Sequence, residues 1–451
     1  MSLRRDPLMK NMELIAYDDL NEKPGFQMAM QKANGKYYLY TASFKHHGWN
    51  ILDVTDPHKP HNIKWLEAPN ICGKVDGQST LKINIADGLM LTAHSGQVPH
   101  LMGCEDDMPC WGGLMVWDVK TDPENPKLLG KWECKAPGGV HRFFYNGGKY
   151  AYLSADCEGF DSFILKIVDI QDPTNPVAVG EWYAPGQKLE DGKAGSTFGR
   201  GHLARPFLHA VTVKDDIAYL AYANVGFLTL DVKDKSNPKL LGKLPLNPPF
   251  GGGVGGAPIH TAYPIGDRPY AVVTTEGERS RVFHGGETGH YKKGVKFVTN
   301  PMNIIGIVEL TDINNPNLIS IFPYPEMPEG YTRGTNFNFV DGVRVPLGPH
   351  NCFDVYGPDV YKKIDDKVLN CYFWAGLRIY DVSDPFVPKE IAYFLPPEPE
   401  KMLFNNKAGD LMPGAPVATT EDVLVDDRGY IYITTLHDGL YIVRYTGKGG
   451  I

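Results

Sequence analysis

The chain has 451 residues, of which 42% are hydrophobic and 22% are charged, and its formal net charge is −8 at pH 7. This composition is typical of a globular protein, and the acidic balance argues against nucleic acid as a main partner, because phosphate binding requires a basic face. No apolar run approaches the roughly 18 residues of a membrane span, and no signal-peptide pattern is visible at the start. We therefore expect a cytoplasmic protein, or a periplasmic one if a signal sequence has been removed.

The seven cysteines are an odd number, and none of them belongs to a C-x-x-C motif. Scattered, unpaired cysteines are typical of a reduced compartment, which agrees with a cytoplasmic location. Cys104 and Cys110 are close enough in sequence to bridge a loop. The sequence leaves open whether they form a disulfide.

The first stretch with strand character is the segment 11–19, NMELIAYDD, in which apolar and polar residues alternate. Alternation with a period of two is typical of a β-strand that buries one face. A second alternating stretch, GFQMAMQKA at 25–33, follows it directly. With this second stretch a repeating pattern begins that organises the rest of the chain.

One phrase recurs in this pattern: an apolar residue, an acidic residue, and then a turn built on Asp, Asn and Pro. Its copies are LDVTDPHKP at 52, WDVKTDPENP at 117, VDIQDPTNP at 168, LDVKDKSNP at 230, VELTDINNP at 308 and YDVSDPFVP at 380. A degenerate seventh copy, GLYIVRYTG at 439, has Arg444 in the acidic position. Internal repeats at such spacing indicate a repeat architecture.

Each copy contains four short alternating segments separated by turn residues, which predicts four antiparallel strands. Four-stranded units repeated radially form a β-propeller, so we expect an all-β, seven-bladed propeller in a single domain, 1–451. The last repeat supplies only three strands, from about 421 to 446. We therefore predict that residues 11–19 are the fourth strand of blade seven and close the ring.

The recurring phrase resembles the LVIVD-repeat β-propeller proteins. That resemblance covers nearly the whole chain and implies the propeller fold, but it implies no activity, because a fold does not determine a function.

Aligning the first strands of the blades brings histidine to an equivalent position in four successive blades: His141, His209, His260 and His350. The other blades have Gln27, Ser79 and Glu421 in this register, so the repeat itself does not require histidine. The first strands of a propeller line its central channel, and we expect the four imidazoles to converge near one mouth. Buried imidazoles need partners for both nitrogens, and a metal ion satisfies four of them at once.

Nitrogen ligands favour a divalent transition metal, with Fe or Cu preferred and Zn, Mn or Ni as alternatives, over calcium or magnesium. The architecture is similar to carotenoid cleavage oxygenases, which hold non-haem iron with four histidines, to selenium-binding-protein-type methanethiol oxidases with copper, and to propeller pectate lyases. The sequence motifs of the first two families are not present, so the similarity is architectural.

The second strands end at the same face and bring further polar residues to it. Our candidate catalytic residues are Glu421, Glu276, Arg200 and His437, with the two carboxylates as proton carriers. Candidate substrate-binding residues are His94, His47, His202, Phe250, Arg333 and Trp374. Four long connections, 185–208, 246–259, 324–349 and 396–420, would roof a cavity for a small organic substrate.

Three functions fit these residues. The first is an iron or copper oxidoreductase acting on a small organic molecule. The second is a lyase or hydrolase that uses a redox-inert divalent ion at the same site as a Lewis acid. The third is a non-catalytic scaffold whose top face binds a protein. The sequence identifies neither the substrate nor the oligomeric state.

Overall fold

The computed structural model describes the chain apart from residues 1–3, 24, 44–45, 71–78, 97–110, 137, 192–205, 224, 247–258, 277–303, 338, 345–346, 402 and 404–416. In the described part, seven four-stranded antiparallel sheets follow one another along the chain. The chain is thus an all-β, seven-bladed propeller, as the repeats predict. No helix in the described part is both long and apolar enough to cross a membrane.

Blades one to four each take their four strands in sequence order. Blade one contains β3 (Gly25–Ala33), β4 (Lys36–Ser43), β5 (Gly48–Asp53) and β6 (His61–Glu67). Blade two contains β7 (Ser79–Ala86), β8 (Leu89–Ser95), β9 (Gly113–Asp118) and β10 (Lys127–Glu133). Blade three contains β11 (Val140–Phe144), β12 (Tyr150–Asp156), β13 (Phe163–Asp169) and β14 (Val177–Trp182). Blade four contains β15 (Phe207–Lys214), β16 (Ile217–Ala223), β17 (Gly226–Asp231) and β18 (Lys239–Leu244).

Blades five to seven complete the ring. Blade five contains β19 (Ile259–Pro264), β20 (Tyr270–Thr275), β21 (Ile305–Glu309) and β22 (Asn317–Ile321), and a small hairpin follows it, formed by β23 (Phe339–Val340) and β24 (Val343–Arg344). Blade six contains β25 (Lys367–Cys371), β26 (Leu377–Asp381) and β27 (Lys389–Leu395). Blade seven contains β28 (Thr420–Val425), β29 (Tyr430–Thr435) and β30 (Gly439–Tyr445).

Two N-terminal strands supply the outer edges of the last two blades. β2 (Met12–Asp18) pairs antiparallel with β30 and completes blade seven, which confirms the predicted closure of the ring. β1 (Leu8–Lys10) pairs with β27 of blade six, a pairing that the sequence did not predict. The chain start therefore lies across the boundary between blades six and seven.

The innermost segment of blade six is less regular than its counterparts. His350 and Phe353 donate backbone hydrogen bonds to Cys371 and Leu369 of β25, and Cys352 forms an isolated bridge with Asn370. The segment therefore occupies the place of a first strand without forming a continuous ladder.

The acidic residue of the repeated phrase stabilises the turn into the fourth strand. The carboxylates of Asp53, Asp169 and Asp231 each accept the backbone N–H two residues later, at 2.9, 2.7 and 2.8 Å. A second Asp repeats this contact and begins the next turn, as in Asp172, whose carboxylate accepts from Thr174 N. Asp favours such turns because its short side chain reaches its own backbone.

Apolar clusters fill the spaces between neighbouring blades rather than one central core. One cluster joins blades one and two around Trp49, Ile51 and Ile83, all fully buried. Equivalent clusters join the other neighbouring blades, and the largest one connects blades six, seven and one. Burial spread in this way leaves the centre of the ring available for polar side chains.

Candidate metal centre

A β-bulge marks the start of the first strand in six blades. The pairing between the first and second strands skips His141, His209, His260 and Glu421, each of which lies between two paired residues. A bulge leaves one residue out of the ladder and changes the direction of its side chain. In these four blades, the residue that the sequence alignment places at the start of the first strand is therefore the bulged residue.

The four histidines lie side by side. The ring centroids are 4.5 Å apart for His141 and His209, 4.1 Å for His209 and His260, and 5.0 Å for His260 and His350. The Nε2 atoms of His141 and His209 are 2.8 Å apart. Two nitrogens bound to one ion at right angles, each about 2.1 Å from it, are about 3.0 Å apart. This spacing therefore suits two ligands of one ion.

The Nδ1 atoms of three of these imidazoles are held by oxygen atoms. His209 Nδ1 donates to the carbonyl oxygen of His260 at 2.6 Å, and His350 Nδ1 donates to the carbonyl oxygen of Glu421 at 3.1 Å. His260 Nδ1 lies 2.7 Å from Thr261 Oγ1. Because a carbonyl only accepts, the neutral forms of His209 and His350 have an unprotonated Nε2. Such contacts orient metal-binding histidines in general.

A carboxylate joins the central histidines. Ligand atoms of His209, His260 and Glu276 all lie within 4.8 Å of one another, and all three residues are buried. Glu276 follows β20 directly, so it reaches the cluster from the second strand of the blade that His260 begins. The sequence predicted Glu276 on this face as a proton carrier, whereas its position also suits a metal ligand.

Glu421 and two aromatic residues support His350. Glu421 Oε2 lies 3.2 Å from His350 Nδ1, beside the backbone contact. The ring of Phe373 stacks on His350 at 4.6 Å, and Trp374 packs against Phe373 at 6.0 Å while donating to Phe337 O. Glu421 therefore orients His350, and Trp374 lies one layer behind that ring.

A second polar layer lies directly after the bulges, and sequence reasoning missed it. Lys82, Arg142 and Asp422 are the first residues to resume pairing in blades two, three and seven. All three are buried, at 6%, 6% and 4% exposure. In blade two the bulge contains two residues, so the residue equivalent to the histidines is Leu81 and not Ser79.

The charges of this layer act on one another and on the nearby carboxylates Glu421 and Glu276. Burial lowers the pKa of Lys82 well below its ordinary value, and the neighbouring Arg142 charge lowers it further, while Asp422, Glu421 and Glu276 oppose this change. Burial likewise lowers the pKa of Arg142 and raises the pKa of Asp354. The layer is therefore a buried group of mutually interacting charges.

Two further predicted residues form a separate group in blades one and two. His94 is fully buried, its Nε2 lies 3.0 Å from Thr92 Oγ1, and its ring packs edge-on against Trp49 and Trp111 at 6.0 and 5.5 Å. The charge of His47, which is half-buried, contributes to lowering the His94 pKa.

His437 is buried in the turn between β29 and β30.

Arg333 is buried in the connection between blades five and six, where two carboxylates hold its guanidinium. It donates to Asp341 at 2.7 Å and to Glu398 at 2.9 Å. The buried side chains Phe337 and Leu347 of the same connection belong to the apolar cluster of blades five and six. The described part of 324–349 thus contributes to the core.

Other predicted residues lie outside the described part of the chain: Arg200, His202 and Phe250, together with the cysteine pair Cys104 and Cys110.

Cys352, two residues after His350, is buried and accepts a hydrogen bond from Asn370 Nδ2 at 2.9 Å. Burial raises the pKa of its thiol to about 12. A protonated, packed thiol is a poor metal ligand.

Two solved structures are similar to this chain, and the first of them supports the fold. The β-propeller domain of Myceliophteria thermophila Cps50 (Swd1) is similar at 10% identity and a TM-score of 0.51, over 94% of this chain and 98% of that one. The computationally designed Ika8 protein is 8% identical with a TM-score of 0.46, over 95% and 99% of the two chains. No curated protein matches the sequence.

The model of the LVIVD repeat matches residues 147–183 and 209–244. These ranges contain the second to fourth strands of blade three and nearly all of blade four, where the recurring phrase is VDIQDPTNP and LDVKDKSNP. The chain is thus a seven-bladed β-propeller that contains LVIVD repeats.

Proposed function

We propose that this propeller is a metal-dependent oxidoreductase that binds non-haem iron at the mouth of its channel and acts on a small organic molecule. The single observation that supports it best is the cluster of His209, His260 and Glu276, with His141 and His350 on either side. Two histidines and one carboxylate are the ligand set of many non-haem Fe(II) oxygenases. Iron held by these residues would supply redox chemistry with O2.

The surrounding residues have supporting roles in this proposal. The backbone carbonyls of His260 and Glu421 fix the imidazoles of His209 and His350 in the tautomer that leaves Nε2 unprotonated. Phe163 and Phe207 pack against the His141 ring at 5.9 and 5.7 Å and exclude water from that side. The carboxylate of Glu421, held at His350, is placed to accept or return a proton near the substrate.

A lyase or hydrolase at the same site is the alternative that the carboxylates favour. Glu276 or Glu421 would then be the general base, and a redox-inert ion would polarise the substrate. The two functions differ in the metal and in O2 consumption, so one set of measurements separates them.

The test is elemental analysis of the purified protein, together with the variants His209→Ala and His260→Ala. We expect about one iron per chain in the native protein and a loss of most of it in both variants, with the β-sheet circular dichroism spectrum unchanged. His61→Ala is the matched control, because His61 is exposed in the outer strand of blade one.

Each other result has a definite meaning. Full metal content in both central variants would place the ion elsewhere. Zinc or manganese without O2 consumption would favour the lyase or hydrolase. A native protein without any metal would leave the scaffold function.

A further inference from the structure

We infer that Lys82, with Arg142 and Asn351 beside it, forms an anion-binding site in the channel next to the histidine cluster, and that it binds the carboxylate of the substrate. This inference rests on the proposed function, whose substrate class it narrows to small molecules with one carboxylate group.

Lys82 is a buried lysine whose amino group lies over an aromatic ring. It is 6% exposed, and its Nζ lies 4.1 Å from the centroid of the Phe26 ring. Among the residues that the structure describes, no hydrogen bond or ion pair holds this ammonium group. A buried amino group without hydrogen-bond acceptors is costly, so an acceptor that arrives with a ligand would stabilise it.

Phe26 connects Lys82 to the candidate metal centre. Its ring contacts the ammonium of Lys82 on one side and lies 5.9 Å from the His350 ring on the other. The charges of Glu421 and Glu276 also act on Lys82. A ligand that touches Lys82 therefore lies close to the histidines.

Two neighbouring side chains offer further unused donors. Arg142 donates through Nη2 to Asn351 Oδ1, and both residues are buried. Within the described part of the chain, Arg142 Nε and Asn351 Nδ2 lack a hydrogen-bond acceptor. Lys82 Nζ, Arg142 Nε and Asn351 Nδ2 are all donors, and such a set complements an anion.

The charge of the surroundings limits the ligand to a single negative charge. Asp354, Asp422 and Glu276 act on Arg142, and Asp422, Glu421 and Glu276 act on Lys82. The nearby carboxylates repel a phosphate dianion more strongly than a monocarboxylate, so a ligand with a single negative charge fits beside Lys82 and Arg142 better. The planar carboxylate also matches the fork geometry of arginine.

The experiment is calorimetric titration of the full chain, as purified and with its metal content measured, with acetate and with its neutral analogue acetamide. We expect acetate to bind the native protein and Lys82→Met to weaken this binding by at least tenfold, with the metal content unchanged. Acetamide should bind both proteins equally weakly. Lys127→Met is the matched control, since Lys127 is exposed in β10 of the same blade.

Replacing a buried charge by an apolar side chain of similar length is often tolerated, and Lys82→Gln provides a second neutral variant if the Met variant fails to fold. Equal acetate affinity in the native protein and the folded Lys82 variants would overturn the inference. The two proposals fail on different results. Absence of iron from the purified native protein refutes the metal centre alone, whereas acetate binding that does not depend on Lys82 refutes the anion site alone.

Discussion

His209 shows how a single residue is directed to the channel. It lies at a bulge between Leu208 and Ala210, which both pair with β16. Its Nδ1 is fixed by the carbonyl of the next histidine along the arc, His260. The bulge sets the direction of the side chain and the hydrogen bond sets the tautomer, so that both features prepare Nε2 for a ligand.

The roles of the two carboxylates can be separated by substitution. Glu276→Gln should lower metal affinity by more than 100-fold if Glu276 is a ligand, as its position with His209 and His260 suggests. Glu421→Gln should lower metal affinity by at most about tenfold, which is near the low end for residues that only orient a ligand. The reason is that the backbone carbonyl at 421 still accepts from His350 Nδ1. Metal titration with a competing chelator measures both, and equal losses would contradict the assignment.

His94 should make the stability of the ring depend on pH. Burial, with a smaller effect from His47, lowers the pKa of His94 to about 3, whereas an unfolded histidine titrates near about 6.5. Between these values the unfolded chain binds the extra proton, so the free energy of unfolding falls as the pH decreases from about 6.5 towards 3.

His94→Gln removes this titration, and its unfolding free energy should therefore fall less on acidification than that of the native protein. The expected difference is about 2 kcal/mol between pH 6.5 and 4.5, since each pH unit in this window is worth at most about 1.4 kcal/mol. Urea unfolding at the two pH values measures it. Parallel pH profiles for the two proteins would show that His94 titrates normally.

At the scale of elements, the turn phrase explains why its acidic residue recurs. Asp231→Ala removes the acceptor of Lys233 N at 2.8 Å and should lower the free energy of unfolding by about 1 kcal/mol. Asp231→Asn keeps an acceptor oxygen at the same place and should lower the free energy of unfolding by less. Denaturant unfolding measures the free energy of unfolding of both variants. Equal losses would mean that the charge of Asp231 contributes to stability and the hydrogen bond within the turn does not.

The two N-terminal strands should differ in how much they contribute to the thermal stability of the ring. Deleting residues 1–10 removes the outer edge strand of blade six, since β1 pairs with β27 alone, together with the hydrogen bonds between Arg4 and Glu398. Deleting residues 1–18 also removes β2, which leaves β30 as an exposed edge and opens the ring. We expect a small decrease in melting temperature for the first deletion and aggregation or a decrease of more than 10 °C for the second. A melting temperature that the longer deletion leaves unchanged would refute closure by β2.

The recurring phrase and the period-2 alternation were sufficient to predict the blades, their number and the closing strand, because each repeat contains its own turn and strand signals. The strand β1 has only three residues, too few for a visible alternation. The bulges could not be predicted, because they depend on how two strands pair; the two-residue bulge in β7 shifted the alignment of blade two from Leu81 to Ser79. Lys82 was missed because lysine is rarely buried.

At the scale of the whole molecule, the residues that stabilise the fold and those of the candidate metal centre lie in different parts of the ring. Apolar clusters between neighbouring blades hold the fold together, and the four histidines belong to none of them. Repeat proteins distribute their stability over units and their interfaces. Removing the metal should therefore leave the ring folded.

This separation predicts how the melting temperature responds to metal. A ligand that binds only the folded state adds RT ln(1 + [L]/Kd) to the free energy of unfolding, about 4 kcal/mol at a thousandfold excess over Kd. Adding Fe²⁺ without oxygen to chelator-treated native protein should therefore raise the melting temperature by several degrees. His260→Ala should begin at a melting temperature close to that of the metal-free native protein and gain almost nothing, and His61→Ala should behave as the native protein does. Unfolding of the native ring by the chelator would contradict the separation of stability from metal binding. If Fe²⁺ stabilises His260→Ala as much as the native protein, the ion binds outside the histidine cluster.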